Sequence, residues 1–294
     1  MKIAITANAE KPSARELVRR AIDLIGDRAE IVLAEDAHLP IDAPLPRAPL
    51  ADLTADAIVA IGGDGTYLST LQRTNVPLLA VNAGTVGVLA EVDGRNASEF
   101  ETAIGRLLRG YYFVEERMKL AVQAAGVAMP DATNEVVIHS GRPAKMGRFD
   151  IILDGRHIGR LQADGVIIAT PTGSTGYSLS ALGPIVETGV EGIVIVAIAP
   201  FRAVARAIVV EPLHTITIRP QSGEIHSLAV IDGQVETRVA PGGSVLVYRS
   251  PRRARFIRFG ATNLSRLRGK GILPWAEAPD EKEGPDGADV PPPA

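Results

Sequence analysis

The chain has 294 residues, 46% of them hydrophobic and 22% charged, with a formal net charge of −3 and no cysteine. That composition is globular and long enough for two ordinary domains, and it excludes disulfides, thiolate zinc sites and cysteine nucleophiles. Aromatic residues make up only 4%, and much of the negative charge sits in the tail beyond 275, so neither a nucleic-acid surface nor a membrane-binding one is expected.

The opening stretch MKIAITANAEK reads as a strand and not as a signal peptide, and the longest apolar run, 193–201, is too short to cross a bilayer. A cytoplasmic protein is therefore expected. SARELVRRAIDLIG follows as a helix, with Ser13 as its expected cap and Leu17, Val18, Ala21, Ile22 and Ile25 at helical spacing up to Gly26. EIVLAE and DAIVAI are apolar without alternation, the pattern of strands buried on both faces of a parallel sheet. Between them, 36–55 carries four prolines and reads as a surface connection. A fourth strand, VPLLAVN, enters a glycine-rich turn, and ASEFETAIGRLLR closes the region as a helix stopped by Gly110.

After Tyr111 the apolar runs shorten and crowd together, and Asp154-Gly155 between two of them signals a hairpin. The expected organisation is an α/β, Rossmann-like N-terminal domain over 1–110 and a C-terminal β-rich domain over 111–255. A segment 256–275 returning to the first domain and a disordered acidic tail, 276–294, complete it.

Two glycine-rich stretches carry the chemistry. In AIVAIGGDGTYLST an apolar strand breaks into Gly62, Gly63, Asp64, Gly65 and Thr66. One reading is a tight turn with Asp64 capping the next helix. The other is a bare backbone that admits a phosphate, with Asp64 aimed at the reacting group. In GVIIATPTGSTGYSLSA a buried strand empties into a loop of small hydroxyl residues that opens a helix expected over 174–182. Such a loop suits sugar hydroxyls and anions, although a hydroxyl-rich cap would look the same. The five histidines show no metal-ligand spacing, no Walker loop is present, and the first strand lacks a dinucleotide fingerprint.

Taken together, GGDGTYL, NEVVIHSG, DGVIIATPTGSTGYSLSALGPIV and IDGQ resemble the ATP- or polyphosphate-dependent NAD kinases, from Met1 to about Trp275. The resemblance implies a nucleotide cleft between the two domains. It also implies transfer of the terminal phosphoryl group of ATP, with Mg²⁺, to the 2′-hydroxyl of the adenosine ribose of NAD. Homodimers or homotetramers are implied as well. It makes Asp64 the catalytic base and Gly62, Gly63, Gly65 and Thr66 the phosphate loop. Asp64, Gly65, Asn134, Glu135, Lys145, Gln162, Asp164, Thr172, Thr175, Gly176, Tyr177, Ser178, Ser180 and Gln234 become the NAD-binding set.

There are departures from the family pattern. Gln162 stands where many bacterial members have arginine, which bears on NAD against NADH. Gly176 replaces an alanine and Leu182 a glycine, and the usual Pro-His pair is missing from 197–208, where Arg202 or Arg206 could bind phosphate instead. A lipid kinase of the same superfamily and a non-catalytic nucleotide-binding regulator are the alternatives. No amphipathic basic helix favours the first, and Asp64 argues against the second.

Overall fold

The computed structural model describes residues 1–273 except 38, 40, 42, 43, 85, 86, 143, 202–205, 222–225, 261 and 262. The acidic tail, Trp275 and Arg202 lie outside the described residues. The first part alternates β1 (Lys2–Ala7), α1 (Pro12–Ile25), β2 (Glu30–Ala34), β3 (Arg47–Ala48), β4 (Ala57–Gly62), α2 (Asp64–Arg73), β5 (Leu78–Asn82), β6 (Val92–Asp93) and α3 (Ala97–Arg109). Every strand pair within it is parallel. β1, β4 and β5 are buried on both faces, which explains their unbroken apolar runs. α1 and α3 cover one face through Leu17, Val18, Phe100, Ile104 and Leu107. α2 covers the other through Tyr67, Leu68 and Leu71, packed with Leu50 and Leu53 from the proline-rich connection.

Ser13 does not cap α1. The helix begins two residues earlier, with Pro12 after the cap position Lys11, where proline's missing N–H costs nothing, and the Ser13 hydroxyl donates to the Ala83 carbonyl instead. α3 ends as expected, with Gly110 at a left-handed φ of 75°.

The second part contains β7 (Phe113–Ala124), β8 (Val127–Ala132), β9 (Glu135–Ser140), β10 (Gly147–Leu153), β11 (Arg156–Ala163) and β12 (Gly165–Ala169). A single turn, α4 (Tyr177–Ser180), precedes β13 (Ile193–Ile198), β14 (Ile208–Val210), β15 (Ile216–Pro220), β16 (Ser227–Ile231), β17 (Val235–Val239), β18 (Val245–Arg258) and α5 (Asn263–Gly269). One antiparallel sheet runs β14-β13-β12-β9-β16-β17. The other runs β11-β10-β15-β18 and then continues into β5 and the parallel strands, because the far end of β18 sets Phe256 beside Leu78. β18 passes unbroken through residue 255. The inner faces of the two sheets meet in a core that includes Leu120, Val122, Ile138, Phe149, Val166 and Ile168. Asp154 and Gly155 join β10 to β11 with φ of 47° and 77°, as a two-residue primed turn requires.

The helix expected over 174–182 is broken. A 3-10 turn over Gly173–Thr175 is followed by α4, and Gly176 between them leaves helical geometry. Just beyond, Leu182 holds a φ of 65° with 90% of its surface exposed, so it bears left-handed strain without packing in return. Leu182→Gly removes that strain of about 1 kcal/mol, partly offset by glycine's freedom in the unfolded chain. Thermal denaturation is expected to show a melting temperature raised by about 1–3 °C. A clear fall would mean that the leucine side chain is buried in an assembled form.

Candidate active site

The first glycine loop lies at the C-terminal ends of the parallel strands, the crevice in which open α/β sheets bind ligands. Gly62 is required by crowding, since a Cβ there would stand 2.3 Å from the Thr66 hydroxyl. Gly63 faces open space, and a Cβ on Gly65 would meet only the Gln234 amide at 3.5 Å. The backbone of this loop is thus bare toward the crevice, with Gln234 of the β16–β17 hairpin across from it.

Asp64 is the first residue of α2, but its side chain does not cap the helix. Instead its half-buried carboxylate accepts from the backbone N–H groups of Val88 and Leu89, at 3.0 and 3.1 Å, one on each oxygen. Below it, burial first and the Asp64 charge second push the Tyr67 phenol up, so it stays protonated and donates to the Gly62 carbonyl at 3.2 Å. At the other end of α2 the buried Lys119 ammonium donates to the Leu71 carbonyl at 2.6 Å, a cation on the negative end of a helix. Burial pushes this lysine down to about 8.

The second half of the site is organised by Asp232. Its buried carboxylate accepts from the backbone N–H groups of Thr133, Asn134 and Glu135 at 2.8, 2.8 and 3.1 Å, and from the Gln72 side chain of α2 at 3.3 Å. These donors favour the charged form against the burial that pushes Asp232 up. Glu135 has no such donors, and burial first, then the Asp232 charge, push it up to about 8. Raised to about 8, Glu135 keeps its proton at neutral pH.

The hydroxyl loop locks onto the same turn. Thr170 donates its backbone N–H to the Asn134 carbonyl at 2.8 Å and its hydroxyl to the Thr133 carbonyl at 2.6 Å. A Cβ on Gly173 would stand 2.1 Å from the Asn134 carbonyl oxygen, so only glycine allows the approach. One on Gly176 would stand 3.2 Å from Glu135 Oε2, so this glycine leaves slack over Glu135. Among the described residues, Asn134 Oδ1, Glu135 Oε2 and Ser178 Oγ are buried polar atoms without a hydrogen-bond partner, a signal for a polar ligand near this turn.

A cavity of about 540 Å³ opens beside Glu135, with Glu135, Asp164 and Asp232 as its acidic lining and His139, Arg142 and Lys145 as its basic one, while Asn134 and Ser178 do not line it. Tyr177 also lines it. Thr172 is buried, and Thr175 donates its hydroxyl to the Thr172 carbonyl at 3.1 Å, so both shape the loop. Gln162 and Ser180 are exposed and do not line the cavity. The Gln162 carbonyl accepts from the Phe201 N–H at 2.8 Å. Arg206 is exposed.

Residues 47–112 match the ATP-NAD kinase N-terminal domain, and residues 133–259 match the ATP-NAD kinase C-terminal domain. The chain belongs to the ATP-NAD kinase family. An NAD kinase of Thermococcus sibiricus is 38% identical over 264 residues, spanning 88% of this chain and 94% of that relative. An NAD kinase of Methanopyrus kandleri is 40% identical over 281 residues, spanning 93% and 98%. Among solved structures, an NAD kinase from Archaeoglobus fulgidus in complex with ATP aligns with a TM-score of 0.73 at 28% identity, covering 92% of this chain and 96% of that one. Yeast NADH kinase complexed with NADH aligns with a TM-score of 0.81, covering 96% and 90%, and at 24% identity shows the shared fold alone. These matches support neither the lipid-kinase nor the regulator alternative.

Within this NAD kinase fold, sequence reading passed over Asp232 in favour of its neighbour Gln234, and it missed Gln72, Lys119 and the amides of Val88 and Leu89. An acid before glycine at the end of an apolar strand was the available signal for Asp232. The backbone amides had none.

The proton on Glu135 has a measurable consequence. Its folded pKa lies above the ordinary value of 4.5, so the folded protein holds a proton the unfolded chain releases, and stability is lost as pH rises from about 4.5 through about 8. Glu135→Gln removes this titration. Its melting temperature relative to wild type is expected to increase from pH 5 to pH 9, and a difference that stays constant would contradict the protonated assignment.

Proposed function

We propose that the chain, as an NAD kinase, transfers the terminal phosphoryl group of ATP to the 2′-hydroxyl of the adenosine ribose of NAD, with Asp64 as the base. The observation that carries this reading is the Asp64 carboxylate held on both oxygens by backbone amides at the edge of a bare glycine loop. A carboxylate so held accepts the hydroxyl proton as the new O–P bond forms and the bond to ADP breaks. The open backbone at Gly63 and Gly65 leaves room for the donor phosphates, and the open space over Gly63 fits a phosphate–metal complex. Mg²⁺, which favours oxygen ligands, would be held chiefly by the phosphates and would supply charge stabilisation to the transferred group.

In the same reading, Asn134, the protonated Glu135, Asp164, Tyr177 and Lys145 contact the acceptor nucleotide around the cavity. Thr172, Thr175, Gly176 and Ser178 shape the loop that closes on it, and Gln234 faces the phosphate loop. Their unpartnered polar atoms and the mixed charge of the lining support this. A cytoplasmic homodimer or homotetramer is the setting. The cysteine-free composition supports the compartment, and the exposed Phe201 supports the assembly.

The test is product formation from Mg-ATP with NAD and with NADH in parallel, repeated with polyphosphate as donor. Asp64→Asn keeps the side-chain shape and one of the two amide hydrogen bonds but removes the base, and turnover is expected to fall by about 10²–10⁴-fold. Turnover close to wild type in that variant would remove Asp64 from the role. A donor preference for polyphosphate would replace ATP, and the NAD/NADH ratio reports on Gln162.

A further inference from the structure

The loop that holds Asp64 has two sides. Its N–H groups, from Val88 and Leu89, point to the carboxylate. Its carbonyl groups point the other way and are taken by cations from the end of the chain. Lys270 Nζ donates to the carbonyls of Gly87 and, at 3.5 Å, Ala90. Arg258 Nη1 donates to the Leu89 carbonyl at 3.2 Å. The Gly87 carbonyl and the Val88 N–H belong to one peptide group, which is planar and rigid. A single peptide therefore stands between the Lys270 ammonium and the Asp64 carboxylate, and pulling on its oxygen aims and polarises its N–H.

The two cations differ in what else they hold. Arg258 is buried and ion-paired with Glu91 and Glu115, so its removal would damage the core. Lys270 is exposed, one residue past α5, and its backbone N–H is tied to the Arg266 carbonyl at 3.1 Å. Arg266 is ion-paired with Glu91 at 3.1 Å, which fixes this end of the chain over the loop. Gly87 holds a φ of 115°, and a Cβ there would stand 2.9 Å from the Asn82 side chain, so this peptide requires glycine.

We infer that Lys270 is a positioning residue for phosphoryl transfer, which through the Gly87–Val88 peptide sets the orientation of the Asp64 carboxylate. This rests on the reading of Asp64 as the base. Lys270 touches neither nucleotide in this role, so its loss acts on the chemical step and leaves binding unchanged.

The experiment compares Lys270→Ala, Lys270→Arg and Lys270→Cys in the full chain. The protein has no cysteine of its own, so 2-bromoethylamine alkylates only the introduced thiol and rebuilds a side chain that ends in an ammonium group. Lys270→Ala is expected to lower kcat by about 10–100-fold, with KM for NAD and for ATP within about twofold of wild type and an unchanged melting temperature. Lys270→Arg and alkylated Lys270→Cys are expected to recover most of the loss, and unmodified Lys270→Cys is not. A kcat within twofold of wild type in Lys270→Ala overturns the inference. So does a rise in KM for ATP at constant kcat, which would make Lys270 a donor-binding group, and so does failure of alkylation to restore turnover. If Asp64→Asn is itself active, the base reading fails and takes this inference with it. An inactive Asp64→Asn beside a normal Lys270→Ala strikes the inference alone.

Discussion

The site depends on one constraint, the two hydrogen bonds that the backbone of Val88 and Leu89 donates to Asp64. A carboxylate bound through one oxygen can swing, but one bound through both has a fixed plane. Because the donors are backbone amides, their placement is decided by the path of the chain after β5. That path is set by β5 lying beside β4 in the parallel sheet and by the carbonyl contacts that Arg258 and Lys270 make from behind. Residues 258 and 270 reach it because β18 crosses from the antiparallel part of the large sheet to β5. The topology of the whole sheet is thus written into the orientation of one side chain.

A second carboxylate, Asp232, serves the other half of the cleft by different means. Three consecutive amides converge on it, so the turn 133–135 can hold only one shape, and the hydroxyl loop 170–176 is then pressed onto that turn where Gly173 allows contact. Gln72 ties the same carboxylate to α2, the helix that begins at Asp64. Glu135, next to this charge and poor in donors, keeps its proton and can act as a hydrogen-bond donor to a ligand. Of these two neighbouring acids, Asp232 accepts three backbone N–H groups that favour its charged form, and Glu135 accepts none of them.

The departures from the family pattern have local explanations where the structure describes them. Leu182 occupies a left-handed position that glycine holds without strain, and its exposure shows that no packing inside the chain rewards the leucine. Gly176 relieves a contact with Glu135 that an alanine would tighten. Gln162 acts through its carbonyl and lies off the cavity lining, so its side chain has no contact there that the structure explains.

Much of this was legible in the order of residues. Unbroken apolar runs separated by helical spacing define the parallel strands, since burial on both faces forbids alternation, and the Asp154-Gly155 turn follows from its backbone demand. Of the residues that the family resemblance named, Glu135, Lys145, Asp164 and Tyr177 line the cavity. The sequence could not show that Asp64 would turn away from its helix, that Ser13 would yield the cap to a proline start, or that the second loop would break at Gly176. Those outcomes are settled by partners 24 and 25 residues from Asp64 and 70 residues from Ser13 in the chain. The role of Lys270 lies further still, 183 residues from Gly87. Local propensity and periodicity act over a few residues. Backbone amides and carbonyls are identical at every position, so only the folded path decides which of them meet a charge.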